Sequence, residues 1–285
     1  MNNANIHRSR LRKKGIQDVL VILVSAFITL AFLFPYIYLG MSSFKTSQDV
    51  ISVTPTLLPP GFSVENWVRM FERLPVGKYL GNSLFVALAA TGISVFLGSL
   101  SAYSIDRSNS KVSRFLLVLT LCLKMIPLSS ISVPVYNIVI RLGIYDTRIA
   151  MVMVMAAINM PFVMWVMCGY YRNIPVSLDE AACVDGAGSL TTFLRVILPV
   201  SLPGIITSAL FVLFCSWNDF IFGLLLTSVN AKTFSVAISE FITAYGLDFG
   251  PMTAAAFLFS FPVLILSVLA QRYIVQGFTA GAIKE

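Results

Sequence analysis

The segment Gly169-Tyr170-Tyr171-Arg172-Asn173-Ile174-Pro175-Val176-Ser177-Leu178-Asp179-Glu180-Ala181-Ala182-Cys183-Val184-Asp185-Gly186-Ala187, continuing to Val196-Ile197-Leu198-Pro199 and Pro203-Gly204, is a polar interlude between two apolar runs. Ser177 followed by Glu180 has the S-x-x-E spacing of a capping box, and Asp179 adds negative charge near the positive end of a helix dipole. The spacing therefore predicts a short helix starting at Ser177. Gly186 supplies the left-handed conformation that ends helices. A second short helix is predicted from about Ser189 to Ile197, stopped by Pro199. On these terms alone a pair of amphipathic helices lying on a membrane surface is one open reading of the segment.

The runs on either side extend that reading to the whole chain. Crossing about 30 Å of hydrocarbon takes roughly 20 helical residues. Six runs of that order occur: Ile16 to Gly40, Val76 to Ile105, Phe115 to Pro134, Ile149 to Gly169, Pro203 to Thr227 and Met252 to Val275. The 285 residues are 57% apolar and 12% charged, against roughly 45–50% and 25% in soluble domains. The expected fold is all-α and polytopic, with six transmembrane helices. The net charge of +7 is read as topology, because no basic and aromatic nucleic-acid motif accompanies it. Arg8, Arg10, Arg12, Lys13 and Lys14 precede the first run, and Arg107, Lys111 and Arg114 follow the second. Basic residues favour the cytoplasmic side, which puts both termini there. The expected parts are a basic cytoplasmic tail at 1–15, a membrane domain at 16–275 and a cytoplasmic C-terminal tail at 276–285. The first run is too long for a signal-peptide core and lacks a small-x-small cleavage site, so it is expected to stay attached.

Several chemistries are excluded. Cys122, Cys168, Cys183 and Cys215 have no C-x-x-C spacing, which argues against disulfide or metal roles. The single histidine, His7, lies in the basic tail, so no buried His-based catalytic group is available. The runs hold no paired carboxylates and no Ser and His constellation. The chain also lacks a G-x-x-x-x-G-K-[ST] phosphate loop, so any ATP is bound elsewhere. No cofactor, metal or catalytic residue is expected in this chain.

The spacing Glu-Ala-Ala, three residues, Gly, nine residues, a branched aliphatic, one residue, Leu-Pro is held by Glu180-Ala181-Ala182, Gly186, Val196 and Leu198-Pro199. It resembles the EAA loop of ABC importer permeases, with Val196 where isoleucine is more usual. Pro175, Leu178, Asp185-Gly186-Ala187, Phe193 and Pro203 extend the match. So do Asn159-Met160-Pro161-Phe162, Trp217-Asn218-Asp219-Phe220 and the tail Gln271-Arg272-Tyr273, Gly277, Thr279-Ala280-Gly281-Ala282 and Lys284. The set is similar to the maltose-type carbohydrate permeases over nearly the whole chain from about Phe34.

The resemblance implies the transmembrane domain of a type I ABC importer, whose coupling loop, residues 169–203, docks into a groove on a cytoplasmic ATPase. Ala181 and Ala182 would allow close backbone approach, Gly186 the turn, and Glu180 a pair with a basic residue of the ATPase. Asp185 either pairs likewise or caps the second helix. Ala187, Leu198 and Pro199 complete the coupling set. The implied partners are a second, non-identical permease subunit, two ATPase subunits that bind ATP and Mg, an external solute-binding protein, membrane lipid and a carbohydrate substrate. No nucleic acid is expected. The alternative from another class is an ion-coupled secondary transporter using Lys124 and Asp219, though such a carrier would not need the EAA loop.

A permeation path must replace water's hydrogen bonds, so polar groups deep in the runs are the substrate-path candidates. They are Lys124, Trp217, Asn218 and Asp219. At about 1.5 Å per residue, Asp219 is expected some 24 Å along a helix from Pro203. Trp217 either stacks on a sugar ring or glues helices together, and Asn159 stabilises the kink at Pro161. Lys124 sits near mid-bilayer, where a lysine costs roughly 2.5–3.5 kcal/mol. It is read as an ion pair with Asp219 or with the partner permease, as a cation meeting an anionic substrate, or as a snorkelling side chain.

Overall fold

In hydrocarbon the backbone must satisfy its own N–H and C=O groups, so long apolar runs become helices. The computed structural model describes residues 3–54, 56–108, 110–243 and 246–280, with side chains omitted at 3–17, 269–270 and 272–280. The charges expected in the N-terminal tail, and those of Arg272 and Lys284, therefore lie outside the described side chains. The helices are α1 (Asn3–Ser43), α2 (Glu65–Arg73), α3 (Val76–Ser108), α4 (Lys111–Lys124), α5 (Leu128–Arg141) and α6 (Arg148–Tyr171). They continue with α7 (Ser177–Val184), α8 (Ser189–Val200), α9 (Leu202–Trp217), α10 (Ile221–Leu226) and α11 (Phe249–Ala280). Strands Ile242–Thr243 and Gly246–Leu247 form a small antiparallel hairpin.

Four stretches are long and apolar enough to cross a membrane singly: Asp18–Ser43, α3, α6 and Phe249–Val268. The third and fifth expected runs are not single straight helices. The helices α4 and α5 meet at 98°, and α8 and α9 at 84°, so the number of spans is four, or up to six if each bent pair is one span. The first bend falls at Met125-Ile126-Pro127, where proline has no N–H to give and disfavours helical geometry in the residue before it. The helix after Pro203 stops at Trp217 and restarts at Ile221. The 24 Å count assumed one continuous helix, and that continuity fails at Asn218. Asp219 is a turn residue whose Oδ2 accepts the N–H of Gly223 at 2.9 Å, starting α10 afresh.

The chain forms two compact units, one from the chain up to Arg73 and Phe241–Leu258, the other from Leu74–Glu240 and the chain from Phe259 on. In the first, Lys45 is 1% exposed, donating to the carbonyl of Thr56 with its ammonium 5.0 Å from the Tyr38 ring. Asn66 ties the end of α1 to α2, donating to the Lys45 carbonyl at 2.8 Å and accepting from Ser47 at 2.9 Å. Asp248 receives Arg69 at 2.6 Å and Arg73 at 2.9 Å. A Cβ at Gly250 would stand 2.2 Å from Asn66 Oδ1, so glycine is required there.

In the second unit, α3 and α6 share the largest interface, and the seam is lined by small residues. Ala90, Ser94, Gly98 and Ala102 recur every four residues on α3, the spacing that puts side chains on one face. Ser94 donates to the Ala156 carbonyl at 3.1 Å and Cys168 to the Ala102 carbonyl at 3.5 Å. A Cβ on Gly98 would meet Val163 at 2.9 Å. Such close approach is how helices associate when lipid is as apolar as leucine. The α9 helix packs on both partners, with Gly204 against the Tyr170 ring and Val212 in the same core as Met167 and Phe193.

The segment from Thr227 to Glu240 is held by the polar side chains of buried Asn82 and half-buried Asp146. Asn82 donates to the carbonyls of Asn230 and Lys232 at 2.9 and 2.8 Å and accepts from Arg148 at 2.7 Å. Asp146, in the left-handed region at φ +56, accepts the N–H groups of Ser228, Val229, Asn230 and Ala231. Burial pushes its carboxyl up, but these four bonds outweigh it and hold the pKa at about 2. This contribution to stability is fully present above the ordinary value of 3.8 and is lost as pH falls toward about 2.

Two outcomes follow. Gly98→Val is expected to destabilise the protein by about 1–3 kcal/mol through overpacking, read as a lower unfolding midpoint in detergent, with Val163→Ala restoring part of the loss. Asp146→Ala is expected to speed amide hydrogen exchange at 228–231 at neutral pH by roughly tenfold or more, the scale of at least one charge-assisted bond, leaving the α3 and α6 amides unchanged.

Candidate functional site

The segment from α6 to α9 holds two short helices, as the sequence suggests, but they begin and end differently. Ser177 is not a cap: α7 starts from Val176, with no side-chain bond at its end, and Leu178 N–H bonds back to the Pro175 carbonyl. Proline's fixed φ sets the entering turn. The Ser177 to Glu180 capping box is therefore not formed.

Asp179 does more than meet a dipole. Its Oδ1 accepts the Tyr103 hydroxyl, and its Oδ2 lies 3.0 Å from Arg107 Nε. The same guanidinium pairs with Asp106 at 3.0 Å and donates to the Ile174 carbonyl at 3.2 Å. Tyr103 and Arg107 are four apart on the last turns of α3 and so share a face. This latch fixes α7 to α3, and local reading of the segment missed it because the partners lie some seventy residues upstream in sequence. The available signal was the Tyr-x-x-x-Arg pair on one helix face. Tyr103 also packs on Tyr171 and Phe193, with ring centroids 5.9 and 5.3 Å apart.

The stop at Gly186 has the expected form. Its φ is +80, its N–H bonds to the Cys183 carbonyl, and that of Ala187 to the Ala182 carbonyl, the paired bonds of a Schellman ending. Asp185 terminates α7 and does not cap α8, whose first residue follows Gly188 without a side-chain bond. The second helix does not stop at Ile197. It widens into a π-turn over Phe193–Ile197, closed by Leu198 N–H on the Phe193 carbonyl, and runs on through Pro199 to Val200. Phe193 and Ile197 anchor it in the core.

What remains outward is an apolar and acidic surface. Ala182 is buried beneath it, while Glu180, Ala181, Asp185, Gly186 and Pro199 are exposed and Ala187 and Leu198 half-buried. Val184 is 88% and Leu190 56% exposed beside them. Neither the Glu180 nor the Asp185 carboxylate has a hydrogen-bond or ion-pair partner among the described residues. Exposed apolar side chains rimmed by carboxylates form a surface suited to contact with a protein or with the membrane.

A cavity of about 350 Å³ opens between α4, α6 and the turn from α9 to α10, lined by Lys124, Asn159, Asn218 and Asp219 among mostly apolar side chains. Lys124 Nζ donates to the Ile158 carbonyl at 3.1 Å and to Asn159 Oδ1 at 3.3 Å. It makes no ion pair with Asp219. Asn159 in turn donates to the Met155 carbonyl at 2.9 Å, so it braces both its own helix and the lysine. Trp217 does not line the cavity. It is 5% exposed, stacked on Phe259 at 5.4 Å, with its indole N–H donating to the Phe259 carbonyl at 3.3 Å.

Removing the latch tests whether it holds the segment. Arg107→Ala leaves both Asp179 and Asp106 without this cation, whereas Asp179→Ala leaves Arg107 paired with Asp106. Each is expected to raise protease sensitivity between 172 and 200. The double variant is expected to lose less than the two single losses combined, because both single variants remove the same Arg107 and Asp179 pair.

The family model described as "binding-protein-dependent transport system inner membrane component" matches residues 94–279. The chain is 34% identical over 257 residues, 89% of itself and 91% of the relative, to a probable ABC transporter permease protein, y4oR, of Sinorhizobium fredii. It is 32% identical over 278 residues, 96% of itself and 99% of the relative, to the trehalose/maltose transport system permease protein MalG of Thermococcus litoralis. Its fold is similar to a chain in the crystal structure of a bacterial ABC transporter involved in alginate import, with a TM-score of 0.76 and 20% identity, covering 92% of this chain and 98% of that one. With the membrane-length helices and the ordered segment between α6 and α9, these likenesses place the chain in the family of binding-protein-dependent transport system inner membrane components, the permease subunits of ABC importers.

Proposed function

We propose that this chain is one of two non-identical permease subunits of an importer for a carbohydrate, energised by ATP hydrolysed on two partner ATPase subunits. The observation that carries the reading is the surface of the segment 169–203, where Glu180 and Asp185 stand unpaired beside exposed Val184 and Leu190 on short helices latched to α3. A rigid, partly apolar knob with free carboxylates suits a groove bearing basic residues. The latch and the core anchor Phe193 would pass movement of that knob to α3 and α6. Glu180, Ala181, Ala182, Asp185, Gly186, Ala187, Leu198 and Pro199 form the proposed coupling set.

The carbohydrate reading draws on relatives whose names include trehalose/maltose transport in Thermococcus litoralis and trehalose transport in Mycobacterium tuberculosis. In this reading the two bent pairs each count as one span, making six, and the basic clusters keep both termini cytoplasmic. The membrane domain covers 16–275, with tails at 1–15 and 276–285. An external solute-binding protein delivers substrate, and ATP and Mg are held by the ATPase. The path runs by the cavity of Lys124, Asn218 and Asp219, with Trp217 as a structural support of its wall. The alternative of an ion-coupled carrier loses its ground with membership of a binding-protein-dependent family.

Glu180→Ala and Gly186→Val test the coupling role. The first removes the free carboxylate, and the second imposes about 1–2 kcal/mol of strain at a left-handed residue. Both are expected to leave the chain in the membrane while reducing ATPase copurifying with the tagged permease by tenfold or more. Retention and uptake at the wild-type level in both variants would refute the assignment.

A further inference from the structure

The cavity beside Lys124 holds more information about the solute than the family does. A lysine ammonium has three donors, and two of them here go to neutral oxygens, the Ile158 carbonyl and Asn159 Oδ1. Among the described residues no carboxylate is within ion-pair range of this nitrogen. The carboxylate that shares the cavity, Asp219, is engaged at the start of α10, accepting the Gly223 N–H at 2.9 Å. The lysine is thus paired only with neutral oxygens among the described residues, and an entering anion would be its first ionic partner.

The rest of the wall suits hydroxyls. Asn218 is exposed and ties back its amide nitrogen to the Phe214 carbonyl at 2.9 Å, which leaves its oxygen as an acceptor. The chain thus sets a cation on the α4 and α6 side and amide and carboxylate acceptors on the turn from α9 to α10. The volume, about 350 Å³, is within the range of small-molecule sites.

We infer that the solute is an acidic saccharide, one bearing a carboxylate, sulfonate or phosphate, whose anionic group meets Lys124 while its hydroxyls meet Asn218 and Asp219. This deepens the carbohydrate reading above and rests on it. The asymmetry gives specificity by two means. A neutral sugar forgoes the charge-assisted bond to Lys124, and an anionic group turned to the other wall would meet Asp219 with like charge, which fixes the orientation of the solute.

The test uses the complete complex of both permeases, ATPase and binding protein in proteoliposomes. The acidic probes are digalacturonate, glucose 6-phosphate and sulfoquinovose, and the neutral ones galactobiose and glucose. Uptake of at least one acidic probe is expected, with Lys124→Gln lowering the acidic-to-neutral uptake ratio tenfold or more and Lys124→Arg holding it within about threefold. Because a ratio is read per assembled complex, a lower amount of variant in the membrane does not alter the result. Uptake confined to neutral probes, or equal loss of both classes in Lys124→Gln, overturns the inference and leaves the importer reading standing. An assembled, ATP-hydrolysing complex that takes up no probe of either class overturns the carbohydrate reading and this inference with it.

Discussion

Every backbone N–H and C=O group that enters hydrocarbon must find its partner inside the protein, and each irregular place in this structure is where that requirement is met by something other than helix. At the α4 to α5 bend the freed geometry is bordered by Lys124, which reaches across to the Ile158 carbonyl on α6. Where α9 ends, the Asp219 carboxylate takes the Gly223 N–H and the Asp219 carbonyl takes the Ser235 hydroxyl at 2.6 Å. Lys124 and Asp219, which stand beside these two breaks, both line the cavity. The same residues that a continuous span would expel are the ones a solute could meet.

The small-residue seam of α3 on α6 makes the rest possible. Ser94, Gly98 and Ala102 bring the two backbones close enough that Ser94 and Cys168 bond the opposing carbonyls. Where α3 ends, it carries Tyr103 and Arg107, which seize Asp179. One helix thus links the membrane core to the exposed segment without an intervening flexible joint. The π-turn at Phe193–Ile197 lies between that segment and α9, and such turns occur often at functional sites.

Trp217 shows how a polar-tipped aromatic misleads when read from its neighbours. The sequence leaves it open between sugar stacking and helix packing, and the helix ends between it and Asp219. The indole stays on the α9 surface against Phe259, while Asn218 and Asp219 turn into the cavity. Lys124 departs from one of its readings, the pair with Asp219. A charge in an apolar run invites an ionic partner, and the partners it has are neutral oxygens on α6.

The sequence by itself determined that the chain is helical and crosses hydrocarbon, because run length and the scarcity of charge admit little else. It also determined where α7 ends, since Gly186 takes a conformation that other residues adopt only with strain. The resemblance carried by Glu180-Ala181-Ala182, Gly186 and Leu198-Pro199 was legible for the same reason: spacing along one chain is local information. Only the tertiary structure decided that Asp179 belongs to Arg107 and Tyr103, that Lys124 and Asp219 share a cavity without pairing, and that Trp217 is packing. Those facts depend on which faces of distant helices meet, and that is settled by the close fit of Gly98 on Val163 and Gly204 on Tyr170. No local pattern encodes such a fit, because each half of it lies on a different helix.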